Sequence, residues 1–143
     1  YVWDKRHHIR MNRHDYFEVF YLQAGELICR IQDREFQMRS GDLAVISSTH
    51  YHTMQWPEKK KSASQVKAAT LYFLPDLIRA SDATGDAVEY LAPFLMQDAN
   101  FPHLIAGKTG IPAQIFDLIK RAHAEIPADT ARARLTIKTY LKM

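Results

Sequence analysis

The sequence predicts a mainly β fold, a small sandwich or barrel, that is followed by a hairpin of two helices. Three observations support this prediction. Short apolar strands alternate with turns from Phe17 to about Leu74, the apolar period becomes helical after Leu74, and two helical stripes follow from Pro112 onward. With 143 residues and 47% hydrophobic content, the chain can bury one sizeable core, so we expect one globular domain.

The predicted strands are short, and each is bounded by residues that favour turns, such as Gly, Asp, Ser and Pro. Closely spaced strands of this kind are typical of an all-β sandwich or barrel. In chain order the predicted strands are FEVFYLQ, ELICRIQ, EFQM, LAVISS, His52–Trp56 and Val66–Leu74.

Helices are predicted after the last strand. A short helix from Asp86 to Leu95 precedes two stronger ones, of which the first begins near Pro112 and ends at Pro127. Asp129 is expected to cap the second helix. An antiparallel hairpin of this kind can cover the barrel, bind a second copy of the chain, or do both. The apolar stripes of the two helices contain Ile115, Ile119, Ala122 and Ile126, and Ala133, Ile137, Tyr140 and Leu141, respectively.

One carboxylate stands out in the first predicted strand. If the segment is extended, the even-numbered residues from Asn12 to Leu22 share one face, so Glu18 lies beside apolar residues, where a carboxylate is costly to bury unless it has a partner. His14, Glu18 and Gly25 read H-x3-E-x6-G, and Gly41 and His52 read G-x10-H. We therefore expect His14, Glu18 and His52 to converge inside the β region.

Composition excludes several classes of protein. The formal charge of +3 is mild, and its clearest basic run, Lys59 to Lys61, is expected to be a solvated hairpin tip rather than a nucleic-acid contact. The single cysteine, Cys29, cannot form an internal disulfide and is expected to be a core residue. Without a long apolar run or a secretion signal, we expect a soluble cytoplasmic protein with no membrane contact. Because the chain opens on Tyr1, we expect a fragment of a longer protein.

The stretch RHDYFEVFYLQAGELICRIQDREFQMRSGDLAVISSTHYHTM resembles the cupin-type effector domain at the amino end of AraC-family transcription regulators. The segments LYFLPDLI, TGIPAQIFDLIKRAHAEIP and ARARLTIKTYL resemble the helices that join that domain to its DNA-binding part. Asn12 stands where the first cupin motif has a histidine. The residues that carry the resemblance most specifically are His14, Glu18, Gly25, Gly41, Asp42 and His52.

This resemblance implies a cupin-like barrel, a double-stranded β-helix or jelly roll, for residues 1–75. Residues 76–111 would form a short helix and a connecting segment. Residues 112–143 would form a dimerisation and linker hairpin leading to a helix-turn-helix DNA-binding domain that is absent from this chain. The implied dimer interface contains Ile115, Ile119, Ile137, Tyr140 and Leu141.

We therefore expect a non-enzymatic sensor that binds a small-molecule effector in the barrel, for which a polyol or a sugar is a reasonable class. Leu22 and Trp56 would line the same pocket. The proposed ligand-binding residues are Asn12, His14, Glu18, Phe20, His52 and Met54.

Two alternatives remain open. His14, Glu18 and His52 could hold a divalent metal, Zn, Ni or Fe, in a metal-dependent cupin enzyme such as a dioxygenase or a sugar isomerase. The chain could also be a pure dimerisation module whose barrel binds nothing. His50, His103 and His123 show no ligand spacing, and no chemistry is assigned to them.

Overall fold

The fold is described by a computed structural model that covers residues 2–3, 11–57, 65–79, 87–128 and 130–142. The strands are β1 (Val2–Trp3), β2 (Phe17–Ala24), β3 (Glu26–Ile31), β4 (Arg34–Arg39), β5 (Leu43–Ile46), β6 (His52–Gln55), β7 (Val66–Phe73) and β8 (Leu104–Ile105). The helices are α1 (Asp76–Arg79), α2 (Ala87–Leu95), α3 (Ile111–Glu125) and α4 (Ala131–Lys142). Short 3-10 turns cover Gly107–Thr109 and Ile126–Ala128.

The strands form two antiparallel sheets. The large sheet has the order β1-β7-β2-β5-β8, and the small sheet has the order β4-β3-β6. In the large sheet, Glu18 on β2 lies opposite Ile46 on β5 and Tyr72 on β7. In the small sheet, His52 on β6 lies opposite Ile31 on β3. β2 is therefore paired on both sides, with β5 and with β7.

Alternation along β2 places two apolar clusters on opposite faces of the large sheet. Phe20 and Leu22 belong to an inner cluster that also contains Cys29 and Met54 of the small sheet, so this cluster lies between the two sheets. Phe17 and Val19 belong to an outer cluster, which the helices cover through residues that include Leu91, Phe94, Ile115 and Ile119. The fold is therefore three layers deep, with the large sheet in the middle.

Asp42 fastens the turn between β4 and β5 to the segment that leads into α3. Its carboxylate accepts hydrogen bonds from the backbone N–H of Arg39 and of Gly107, both at 2.8 Å. At Gly107, a Cβ atom would stand 2.8 Å from the backbone of Gly41, so a glycine is required for this close approach. The position of α3 on the large sheet is thus fixed at its amino end.

The two long helices agree closely with their predicted bounds. Pro112 lies in the first turn of α3, and the helix ends at Glu125, just before Pro127. The N–H of Ala133 donates to the hydroxyl of Thr130 at 3.1 Å, so Thr130 provides a side-chain cap for α4. The predicted cap, Asp129, lies outside the described residues.

The expectation of a mainly β chain is confirmed only in part. Two antiparallel sheets are present, but helices and strands occupy similar shares of the described residues. Most of the helix lies in α3 and α4, and α3 packs with α2 on the outer face of the large sheet. The segment 76–111, expected as a connector, also adds β8 to the sheet edge beside β5. In the described part of the chain, no helix has the length and apolar character needed to span a bilayer.

Candidate functional site

The structure brings His14, Glu18 and His52 together at one end of the space between the sheets. Glu18 is the second residue of β2 and is 3% exposed, while His52 is the first residue of β6 and is 6% exposed. His14 precedes β2, which begins only at Phe17, so its position does not follow from strand alternation. It reaches Glu18 from the segment that precedes a bend at Asp15 and Tyr16. The sequence therefore predicted the cluster correctly but gave the wrong reason for His14.

Backbone pairing brings the segment before β2 onto β6. The N–H of Asn12 donates to the carbonyl of His52 at 2.8 Å, and the N–H of His52 donates to the carbonyl of Asn12 at 2.9 Å. The side chain of Asn12 does not join the cluster, because it is exposed and its oxygen accepts a hydrogen bond from the N–H of Arg13. Asn12 thus contributes its backbone to the site.

Both imidazoles face the same carboxylate oxygen. Nε2 of His14 lies 3.1 Å from Oε2 of Glu18, and Nε2 of His52 lies 3.0 Å from that same atom. The other ring nitrogen of each histidine faces a backbone carbonyl, that of Tyr16 at 2.8 Å and that of His50 at 3.2 Å. Each ring therefore has an acceptor on both sides. A neutral imidazole has only one N–H, so it leaves one nitrogen lone pair facing an acceptor.

The electrostatics of His52 reflect this arrangement. Burial lowers the pKa of His52, but the hydrogen bond and the negative charge of Glu18 and the carbonyl of His50 outweigh burial, and the pKa is raised. Glu18 also acts on Cys29, a buried neighbour in the inner cluster. Burial, with the charge of Glu18 in addition, raises the pKa of the Cys29 thiol to about 12. Cys29 is therefore a protonated core residue at neutral pH, as expected from the sequence.

Two tyrosines that sequence analysis did not single out lie against this cluster. The ring of Tyr16 stacks on His14 with centroids 3.8 Å apart, and Tyr72 meets His14 edge-on at 5.5 Å. The two tyrosine rings are 4.7 Å apart. Tyr72 is 46% exposed, so the polar cluster is close to the surface on this side. The cross-strand position of Tyr72 opposite Glu18 explains its placement, but the strand pairing was not predicted.

The predicted wall residues Phe20 and Met54 lie in the inner cluster. Phe20 is 1% exposed and Met54 is 4% exposed, and both pack among apolar residues of the two sheets. Leu22 is fully buried in that cluster, and Trp56 packs against it while partly exposed. These residues therefore form the apolar surroundings of the polar cluster.

A second histidine pair, His50 and His103, lies nearby and was not assigned chemistry from the sequence. Their ring centroids are 5.5 Å apart, and Nδ1 of His103 donates to the carbonyl of Val45 at 3.0 Å. Burial lowers the pKa of His103, and the positive charge of Arg34 lowers it further against the opposing effect of the Val45 carbonyl. Burial and the charge of His103 likewise lower the pKa of His50.

The residues expected at a dimer interface lie on the two long helices. Ile115 and Ile119 pack against the outer cluster of the chain's own large sheet. Tyr140 and Leu141 line a cavity with them, and Ile137 lines an adjoining depression. The hairpin thus covers its own sheet, which is one of the arrangements the sequence left open.

His14, Glu18 and His52 also have the composition of a metal site. One ligand atom from each of the three can be chosen so that all lie within 4.8 Å of one another. In addition, Nδ1 of each histidine faces a backbone carbonyl, an arrangement that orients Nε2 in many metal sites. The residues present are therefore compatible with a divalent cation.

The fold and this cluster define a small ligand-binding domain with a buried polar centre. The family model described as the AraC-like ligand binding domain matches residues 3–135. The chain belongs to this family, a group of regulatory ligand-binding domains.

No curated protein matches the sequence. Among solved structures, the chain is similar to the plu4264 protein from Photorhabdus luminescens, with 21% identity and a TM-score of 0.38. The match covers 59% of this chain and 61% of that one.

Proposed function

We propose that this chain is the effector-sensing domain of an AraC-type DNA-binding transcription regulator. In this proposal, the two sheets close into a cupin-like barrel, and the effector is a small molecule with hydroxyl groups, such as a sugar or a polyol. The observation that carries the proposal is the convergence of two imidazole nitrogens on one oxygen of a buried carboxylate. Membership of the AraC-like ligand-binding family supports the sensing role.

The chemistry of the cluster favours a ligand that donates hydrogen bonds. Glu18 accepts only, and each neutral ring keeps one lone pair facing an acceptor, so the cluster has fewer donors than its acceptors require. A hydroxyl group of the ligand can donate to the carboxylate of Glu18. Nearby, Tyr16 and Tyr72 offer aromatic faces and edges on which the apolar side of a sugar ring can rest.

The large sheet offers a physical connection from the site to the helices. Glu18 and Val19 are adjacent on β2 and face opposite layers, so a displacement of β2 at Glu18 also moves Val19 against the helical layer. Ser47, which follows β5, donates its N–H to the side chain of Gln97, just after α2, at 3.0 Å. An effector would shift the helices only by the difference between its affinities for the two arrangements.

We further propose that α3 and α4 pair with those of a second copy and pass the signal to a DNA-binding module outside this chain. The hairpin is amphipathic, and Ile111, Ile126 and Leu135 are exposed on it. Ile126 and Ile137 line the same depression between the hairpin and β7, while Leu135 is 66% exposed. Sedimentation equilibrium should therefore detect a dimer, and Leu135→Lys should weaken it.

A ligand screen tests the sensing role. A panel of neutral sugars and polyols is examined by saturation-transfer NMR, and any binder is titrated into the wild type, His14→Asn and the control His123→Asn. His123 is exposed on α3. We expect His14→Asn to weaken binding about tenfold or more. The variant loses the hydrogen bond between Nε2 of His14 and the carboxylate of Glu18. If no member of the panel binds, or if both variants bind equally, the effector proposal is wrong.

A metal-dependent cupin enzyme is the second candidate, and the metal-like geometry of His14, Glu18 and His52 favours it. A bound divalent cation would supply Lewis-acid chemistry or activate a water molecule. In that role the histidines would bind through Nε2, Glu18 would bind as a carboxylate, and the carbonyls of Tyr16 and His50 would keep both rings oriented.

Metal analysis distinguishes the two candidates. The purified chain is analysed for Zn, Ni and Fe, then stripped with a chelator and titrated with each metal by calorimetry. Tight binding of one equivalent that His52→Gln abolishes, together with turnover of a substrate, would favour the enzyme. Sugar or polyol binding by the stripped chain would favour the sensor.

A further inference from the structure

A cavity of about 280 Å³ lies between the large sheet and the helices, in the layer opposite the histidine cluster. Val19, Val45 and Phe73 of the sheet line one wall. Helices α2, α3 and α4 line the other, with Ile115 and Tyr140 among the lining residues. Because Val19 and Glu18 are consecutive on β2, the sheet itself separates this cavity from the candidate effector site.

The lining of the cavity is chemically uniform. Most lining side chains are aliphatic or phenyl groups, and none of the described lining residues is charged. Tyr90 and Tyr140 are the described lining residues that carry a hydroxyl group. An ionised ligand would lose its hydration here without gaining a counter-charge from the described walls. The walls therefore select for an uncharged, apolar molecule.

The size of the cavity supports an occupant. Protein interiors are packed as densely as organic crystals, and an empty apolar cavity lowers stability in proportion to its volume. An engineered cavity of roughly 150 Å³ lined by Leu, Ile and Phe stays dry and binds benzene. The present cavity, at about 280 Å³, is nearly twice as large and has the same kind of lining.

We infer that this cavity is a second binding site, for a small uncharged apolar molecule of the size of a one-ring or two-ring arene. The site is distinct from the His14–Glu18–His52 cluster and does not depend on the proposed effector role. Since α3 and α4 form part of its wall, an occupant holds the helical hairpin at a fixed distance from the sheet.

The cavity adjoins a depression at the surface. This depression, of about 660 Å³, lies between β7 and the helical hairpin and reaches Lys120 and His123. We expect an apolar probe to enter from this side, beside α3. The residues shared by the cavity and the depression are Leu71, Phe73, Ile119, Ala122 and Leu141.

The site is tested with toluene and naphthalene as uncharged probes, and with benzoate and naphthalene-2-sulfonate as charged counterparts. Isoleucine methyl groups are observed by NMR. We expect saturable shifts at Ile105, Ile115 and Ile119, which line the cavity, and none at Ile31 and Ile46, which lie in the inner cluster. The charged probes should bind at least about tenfold more weakly than the uncharged ones, because they lose their hydration on entering the cavity.

A variant that fills the cavity is compared with a control variant on the same helix. Ala122 is 7% exposed and lines the cavity, while Ala124 is exposed on the same helix. Ala122→Leu should weaken naphthalene binding about tenfold or more and raise Tm by about 2 °C, because the added carbons occupy the void. Ala124→Leu should leave the affinity unchanged. If Ala122→Leu does not fold, Ile115→Phe fills the cavity from a position about two turns earlier on the same helix.

Several outcomes would overturn the inference. They are the absence of saturable shifts up to the solubility limit of both probes, equal binding by Ala122→Leu and Ala124→Leu, or shifts confined to Ile31 and Ile46. Probe binding that falls as protein concentration rises, with formation of a dimer, would mean that a second copy occupies the site instead. Naphthalene binding is measured with no sugar or polyol present, and the sugar panel is screened with no arene present, so this site and the effector site can fail independently.

Discussion

The two histidine pairs of this domain show how much a single carboxylate changes the chemistry of an imidazole. His14 and His52 converge on Glu18 at 3.1 and 3.0 Å. His50 and His103 meet each other at a centroid distance of 5.5 Å, and Phe36 and Phe101 lie around His103. Both pairs are at least partly buried. Only the first has an anion at its centre.

The pKa of His52 is shifted in the opposite direction to the pKa values of the second pair. At His52, Glu18 overcomes burial and raises the pKa, whereas burial and neighbouring positive charge lower the pKa of both His50 and His103. The first pair therefore suits a polar ligand or a cation. The second suits a neutral structural role, in which His103 donates to the Val45 carbonyl and fixes the loop before β8.

Removal of the central carboxylate should have the largest effect. Glu18→Ala leaves two buried imidazoles without their shared acceptor and should lower the free energy of unfolding by about 3 kcal/mol. Urea denaturation at neutral pH measures this change. A loss below about 1 kcal/mol would mean that solvent satisfies the rings and that Glu18 does not organise the site.

Removal of His103 should have a smaller effect, because no buried charge is left behind. His103→Ala loses one hydrogen bond to the Val45 carbonyl and the ring contacts with Phe36 and Phe101. We expect a loss of about 2 kcal/mol in the same denaturation experiment. A cost equal to that of Glu18→Ala would show that the two pairs do not differ as described.

The two pairs should also respond differently to pH. The folded-state pKa of His103 is lowered, so its contribution to stability is complete above the unfolded value of 6.5 and is lost as pH falls toward the folded value. His103→Asn retains a donor for the Val45 carbonyl but cannot titrate. We expect the fall in the urea midpoint between about pH 7 and pH 5 to be shallower in this variant. If the urea midpoint of this variant falls with pH as steeply as that of the wild type, His103 is not the group responsible for the fall.

The contribution of His52 to stability depends on pH in the opposite direction. Its folded-state pKa is raised, so its contribution is complete below 6.5 and is lost as pH rises through the folded value. Imidazole NMR titration should therefore show His52 losing its proton at higher pH than His103, and Glu18→Gln should lower the pKa of His52. If His52 titrates below His103 in the wild type, Glu18 does not control the site.

The smallest effect is expected at an exposed carboxylate. Glu35 pairs with Arg30 at 2.7 Å, but both side chains are more than 40% exposed, at 49% and 42%. Glu35→Gln should change the free energy of unfolding by less than about 0.5 kcal/mol. This variant is the matched control for Glu18→Gln, since the same chemical change is made where water can replace the lost partner.

Much of this arrangement could be predicted from local sequence. The strand bounds follow from turn residues and apolar runs, and Glu18 stands out because a carboxylate within an apolar strand needs a partner. The position of His14 could not be derived by alternation, since β2 begins at Phe17. His103 hydrogen-bonds Val45 across 58 positions of the chain, and no local pattern reveals such a contact. Both long helices were predicted, and only the description of the chain as mainly β gave them too little weight.

The central claim is that Glu18, held between two imidazoles, anchors the effector. Calorimetric titration of the tightest-binding sugar or polyol into Glu18→Gln and Glu35→Gln tests it most directly. We predict that Glu18→Gln weakens binding about tenfold or more while Glu35→Gln matches the wild type. Equal affinity for the two variants would contradict the claim.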